Sequence, residues 1–177
     1  MPRPDPSEYG SFYQTYIDYT RAADYSSLVG QYNHQLVEFW SAIPIEKINY
    51  AYTPEKWTIK QMLQHVIDTE RIFAFRALVI ARNERQAIPG FDENEYANNA
   101  TAVNRNWKDM LVEWGLVRQS TNLLFASFTD AQLKCLGSAN NQRISVNALG
   151  FIIFGHALHH LTILKERYSI NLSLIHI

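Results

Sequence analysis

A chain of 177 residues with 47% hydrophobic and 13% aromatic content is long enough for one sizeable core and short for two. Its 16 basic and 17 acidic residues leave a net charge of −1, so there is no positive excess to neutralise phosphates, and no nucleic-acid partner is expected. A single cysteine, Cys135, excludes an internal disulfide; no nucleophile motif surrounds it, and it reads as a small buried residue.

The opening segment, MPRPDPSEYG, is rich in proline and lacks the apolar centre of a secretory signal, so residues 1–8 read as a flexible arm. A short helix is expected around Tyr9 to Ala22. From Asp24, the apolar positions Leu28, Tyr32, Leu36, Phe39 and Ala42 recur at three- or four-residue intervals, which predicts a first long helix that Pro44 stops. Thr58 and Gln61 have capping-box spacing and open a second helix. Its face of Ile59, Met62, Leu63, Val66, Thr69, Phe73, Arg76 and Ile80 continues to about Asn83. The stretch AIPGFDENEY reads as a long loop.

A third helix is expected from Thr101 to Phe128, carrying Trp107, Met110 and Trp114 mostly on one side. Thr129 and Gln132 repeat the capping spacing and open a short helix, DAQLKC; LGSANNQR then reads as loop. Ser145 caps a last helix from Val146 to about Tyr168. Period-two alternation is absent. The pattern predicts an all-α chain, a four-helix bundle with short additional helices, forming a single domain over residues 1–177 in which the tail 169–177 has no assigned place. Val146 to Leu164 approaches the minimum length of a bilayer span, but three histidines, Asn147 and Thr162 favour a buried helix of a soluble bundle. No membrane association is expected, and a cytoplasmic location follows by elimination.

The stretch FGHALHHLTILKERY places His156, His159 and His160 within an apolar run. Residues four apart share a helix face, so His156 and His160 can aim their imidazoles at one point. His159 is turned away from His160 by roughly 100°. A zinc-like ion needs at least three protein donors, and His65, on the core-facing stripe of the second helix, is the best third. Spacing alone leaves two readings open: a shared metal site, or core histidines each satisfied by a hydrogen bond. Asp68 reads as a fourth ligand, as a group orienting an imidazole, or as an exposed helix carboxylate. Arg76 reads as an anion-binding group or as half of an ion pair across the bundle. His34 reads as solvated, and His176 is too close to the chain end to assign.

EKWTIKQMLQHVIDTERIFAFRAL, then IPGFDENEYA, then GHALHHLTILKERY together resemble the DinB-like superfamily of small bacterial metal-binding bundles, over roughly Tyr25 to Tyr168. The resemblance implies up-down-down-up connectivity, a homodimer, and a divalent metal, zinc or nickel, held by His65, His156 and His160. It implies no ligand role for His159. It also implies a metal-dependent enzyme acting on a small-molecule substrate, either a hydrolase or a transferase whose metal activates a low-molecular-weight thiol. Beside these stand a non-catalytic metal-binding or structural module and a metal-free bundle.

Overall fold

The structure, a computed structural model, describes residues 1–170. Seven helices and one hairpin follow in chain order: α1 (Gln14–Asp18), α2 (Tyr25–Ser41), α3 (Ile59–Ala81), α4 (Glu93–Asn99), α5 (Trp107–Ala126), α6 (Asp130–Leu133), β1 (Leu136–Ala139), β2 (Gln142–Ser145) and α7 (Val146–Arg167). The long helices begin where side chains can satisfy their free N–H groups. Thr58 and Gln61 form the expected reciprocal box on α3, Asp24 caps α2, and Ser145 accepts from Ala148 N (2.9 Å) at α7.

The four long helices α2, α3, α5 and α7 form the bundle. Helix α7 packs against α2 and α3, and α5 packs against the same two on the other side. Direction follows from cross-bundle contacts. Tyr25, at the start of α2, stacks on Phe125 at the end of α5, and the Tyr168 hydroxyl, just past α7, donates to the Trp57 carbonyl before α3 (2.6 Å). Lys60, in the first turn of α3, donates to the Val103 carbonyl just ahead of α5 (3.0 Å), so α3 and α5 run parallel. The connectivity is therefore up, down, down, up, and the long link from Arg82 to Asn106 carries the chain back to the end where α3 began.

Three expectations are corrected. LGSANNQR is not loop: Leu136–Ala139 and Gln142–Ser145 pair antiparallel across Asn140 and Asn141, both left-handed (φ 52° and 57°) as a two-residue hairpin turn requires. Within AIPGFDENEY, Asp92 accepts from Asn94 N and Glu95 N (2.8 and 2.9 Å) and starts α4. The third long helix begins at Trp107, capped by Asn106, because Thr101 takes a left-handed conformation (φ 49°) that a helix cannot contain.

The first residues are also more firmly held than a flexible arm. Arg3 donates to the carbonyls of Thr20 (2.9 Å) and Ile17 (2.6 Å), Asn147 donates to the Pro2 carbonyl (3.0 Å), and Ser145 donates to a Glu8 carboxylate oxygen (2.7 Å). This strapped segment lays α1 along α7. The approach is close enough that a β-carbon on Gly155 would overlap the Tyr16 carbonyl, so only glycine fits there. Among the described helices, α7 alone has the length and composition of a membrane span, and 83% of its apolar window is buried inside the bundle. Of the tail 169–177, residues from 171 onward lie outside the described residues, His176 among them.

Candidate metal centre

Helices α3 and α7 run antiparallel and are the most extensively packed pair in the bundle. His65 lies two turns into α3, on its inward stripe, and His156 and His160 lie one turn apart on α7. All three are buried, and one ring nitrogen from each lies within 4.8 Å of the other two. His65 Nε2 stands 3.0 Å from His156 Nε2, which stands 3.2 Å from His160 Nε2.

These contacts test what the cluster can hold. An imidazole nitrogen carries either one proton or one lone pair in the ring plane and serves one hydrogen-bond partner well. His156 Nε2 faces two, so hydrogen bonding among the rings leaves one close contact unsatisfied. His160 Nδ1 is buried without a partner, so that ring gains nothing from its other edge. A zinc-like ion about 2.0–2.1 Å from each nitrogen would use all three lone pairs at once, and tetrahedral donors then stand about 3.3 Å apart. The donor set fits a divalent cation.

The electrostatics agree. Burial lowers His65 to about 4, and it holds His156 and His160 well below the ordinary histidine value, with the neighbouring histidines adding to the effect. Neutral imidazole is the ligating form. The shift has a consequence for the metal-free protein. As pH falls below 6.5, the unfolded chain protonates His65 while the folded chain resists until about 4, so folding stability drops across that window and is unaffected above it. A displacement of that size is worth about 3 kcal/mol. Urea midpoints of chelator-treated protein should be level from pH 8 to about 7 and fall steeply between about 6.5 and 4. A level profile through that lower range would contradict neutral, buried histidines.

Around the donors, the other sequence candidates separate. His159 is half-buried and its Nδ1 meets the Tyr19 hydroxyl at 3.1 Å. Asp68 accepts from Gln64 Nε2 at 2.9 Å and stands outside the donor group. His34 is solvated and pairs with Glu38 one turn on (3.2 Å). Cys135 is half-buried, not buried as expected, because it sits at the entrance to the hairpin, where its thiol meets the Ala131 carbonyl (3.5 Å). The Trp57 ring lies 4.8 Å from that of His65, Tyr16 presents its edge to His156 (5.5 Å), and Thr69 Oγ1 lies 3.5 Å from His65 Nδ1. Thr69 lies on the expected inward stripe of α3 and Trp57 just ahead of its expected start, whereas Tyr16, distant in sequence, escaped the sequence reading.

Two cavities border the donors. One, of about 280 Å³, is bounded by His160, His159, Trp57 and Arg167. The other, of about 80 Å³, is bounded by His65, His156, Tyr16 and Arg76, and Glu93 borders both.

The sequence profile of the DinB superfamily matches residues 31–164, which include all three histidines. The chain belongs to the DinB superfamily. Among solved structures, this superfamily member is similar to YfiT from Bacillus subtilis, described as a probable metal-dependent hydrolase with an unusual four-helix bundle topology. The two share 19% identity at a TM-score of 0.66, over 94% of this chain and 93% of that one, which shows a common fold. No curated protein sequence matched.

Proposed function

We propose that this DinB-superfamily chain binds one divalent metal, zinc or nickel, through His65, His156 and His160, and that it is a metal-dependent cytoplasmic enzyme of hydrolase or thiol-dependent transferase type. The observation that carries the reading is the convergence of three neutral, buried ring nitrogens on one point, with His156 Nε2 facing both partners. YfiT's description as a probable metal-dependent hydrolase supports the hydrolytic branch.

A metal in such a site supplies Lewis acidity, enough to polarise a substrate oxygen or to hold a water or thiol in deprotonated form. The chain's own groups do the rest. Burial favours the unprotonated form of the three imidazoles, and the Trp57 and Tyr16 rings flank His65 and His156. His159 Nδ1 meets Tyr19, Asp68 Oδ1 meets Gln64, and neither residue belongs to the group of donors within 4.8 Å of one another, which supports a shell of three protein ligands. That arrangement favours an open, reactive site over a purely structural one.

Protein reconstituted with zinc or nickel should turn over a small ester or amide without added thiol if it is a hydrolase. It should instead conjugate a low-molecular-weight thiol to an electrophile if it is a transferase. Either activity should vanish on chelation and return with the metal. Stoichiometric metal with neither activity across a broad screen would favour the non-catalytic module.

A further inference from the structure

Arg76 lies three turns beyond His65 on α3, with only 2% of its surface exposed. A guanidinium that deep ordinarily meets a carboxylate, because removing an unpaired charge from water costs several kcal/mol. Arg118 meets that expectation: its Nη1 lies 2.9 Å from a Glu70 carboxylate oxygen. Among the described residues Arg76 has no such partner. Its Nη2 donates to the Pro89 carbonyl (3.0 Å), and its Nε is buried with no hydrogen-bond acceptor. The rings of Phe73 and Phe91 lie 5.4 and 5.8 Å from the guanidinium carbon; they attract a cation but do not neutralise it. The Tyr13 phenol lies within hydrogen-bonding reach of the guanidinium, but burial raises it, so it offers a neutral oxygen and no compensating charge.

The same guanidinium borders the smaller cavity on the donor cluster, together with His65 and His156. Phe73 spans the interval, its ring 5.4 Å from the Arg76 guanidinium carbon and 6.1 Å from the His156 ring. Glu93 borders this cavity from its exposed side and makes no ion pair with Arg76. The space is therefore bordered by a buried guanidinium with no ion-pair partner among the described residues, by aromatic rings, and by His65 and His156 of the donor cluster.

We propose that this cavity is a carboxylate subsite: Arg76 receives the carboxylate of a small substrate, whose apolar body lies against Phe73 and Phe91 and whose reacting group reaches His65 and His156. This deepens the metal-enzyme reading above by naming a substrate class, and it rests on that reading only for where the reacting group ends. The guanidinium fork can grip two oxygens of a carboxylate or of a phosphate; the small volume, about 80 Å³, and the apolar rings of Phe73 and Phe91 favour the smaller, singly charged carboxylate.

The test uses acetate, acetamide and inorganic phosphate as probes, small enough for the cavity, titrated calorimetrically into the wild-type chain and into Arg76→Met and Arg76→Lys, each metal-loaded and chelator-treated. Acetate should bind the wild type in both metal states. Its affinity should fall at least about tenfold in Arg76→Met and by an intermediate amount in Arg76→Lys, which keeps the charge and loses the fork. Acetamide and phosphate should bind at least about tenfold more weakly than acetate. In wild-type protein the Nε–H resonance of Arg76 should shift on adding acetate, a readout that holds even if Arg76→Met fails to fold. Unchanged acetate affinity in both variants, an unmoved Nε–H resonance, or tighter binding of phosphate overturns the proposal. Acetate binding that disappears with the metal and ignores Arg76 also overturns it, placing the carboxylate on the ion. If no metal binds yet acetate still depends on Arg76, the metal-enzyme reading fails and the subsite stands.

Discussion

Prepared without chelators, His65→Ala, His156→Ala and His160→Ala should each lose most of a divalent metal that the wild type holds at close to one ion per chain, while His159→Ala should keep it. Loss of a group that merely supports a ligand weakens metal binding by roughly 10–100-fold, and loss of a donor itself weakens it further. His156 should be the most sensitive position, since its Nε2 is the atom that both other rings approach, at 3.0 and 3.2 Å. His159 is adjacent in sequence but turned to Tyr19, so its removal breaks a hydrogen bond and leaves the donor cluster whole. Elemental analysis of the four variants decides the matter, with far-UV circular dichroism to confirm that each is folded. Equal metal loss in His159→Ala would show that the wrong pair on α7 had been chosen. A wild type that takes up no zinc or nickel even on reconstitution would remove the centre altogether.

The second large effect lies away from the donors. Arg118 is fully buried, and its guanidinium meets Glu70 (2.9 Å), Asn122 (3.1 Å) and Asn33 (3.3 Å) while lying 4.1 Å from the Phe154 ring centroid. The cluster joins α2, α3, α5 and α7. Removing one member of a buried pair strands the other charge, at a cost of about 3–5 kcal/mol. Arg118→Met should therefore lower unfolding free energy by about that much, and Glu70→Gln by less, since an amide can still accept from the guanidinium. The double variant Arg118→Met, Glu70→Leu should recover much of the loss, because it removes both charges together. Urea denaturation with an unchanged slope would measure these differences. A loss below about 1 kcal/mol in Arg118→Met would mean that water or a rearranged side chain already compensates Glu70.

The two arginines show where sequence reading ended. Arg76 and Arg118 are both positive residues on helical stripes, and an ion pair across the bundle was open for Arg76. It is Arg118 that finds the carboxylate, because the parallel alignment of α3 and α5 brings Glu70 opposite it. That alignment depends on the long Arg82–Asn106 connection, whose length no local signal converts into a register. Helix phase, by contrast, is a local property. The inward pairing of His156 and His160 followed from a four-residue step, and the starts of α2, α3 and α7 followed from Asp24, Thr58 and Ser145. The hairpin was missed because its strands are four residues each and bury little beyond Ala139, Ile144 and Ser145, leaving no alternation to detect. Its one readable clue was the Asn140–Asn141 pair. The strapping of residues 1–8 was invisible for the same reason as the Tyr16 contact: partners such as Asn147, Ser145 and His156 stand far off in the chain.

The close seating of α1 on Gly155 has a consequence for how this protein relates to its kin. The superfamily match starts at residue 31, so it includes the histidines and Arg76 but not Tyr13 and Tyr16, which line the smaller cavity from α1 and the turn before it. The profile thus spans the positions of the three histidines and Arg76, whereas one wall of the smaller cavity comes from a segment ahead of the profile's first matched residue. The profile match therefore covers the positions of the donor cluster and leaves part of the mould around it to a segment the profile does not reach.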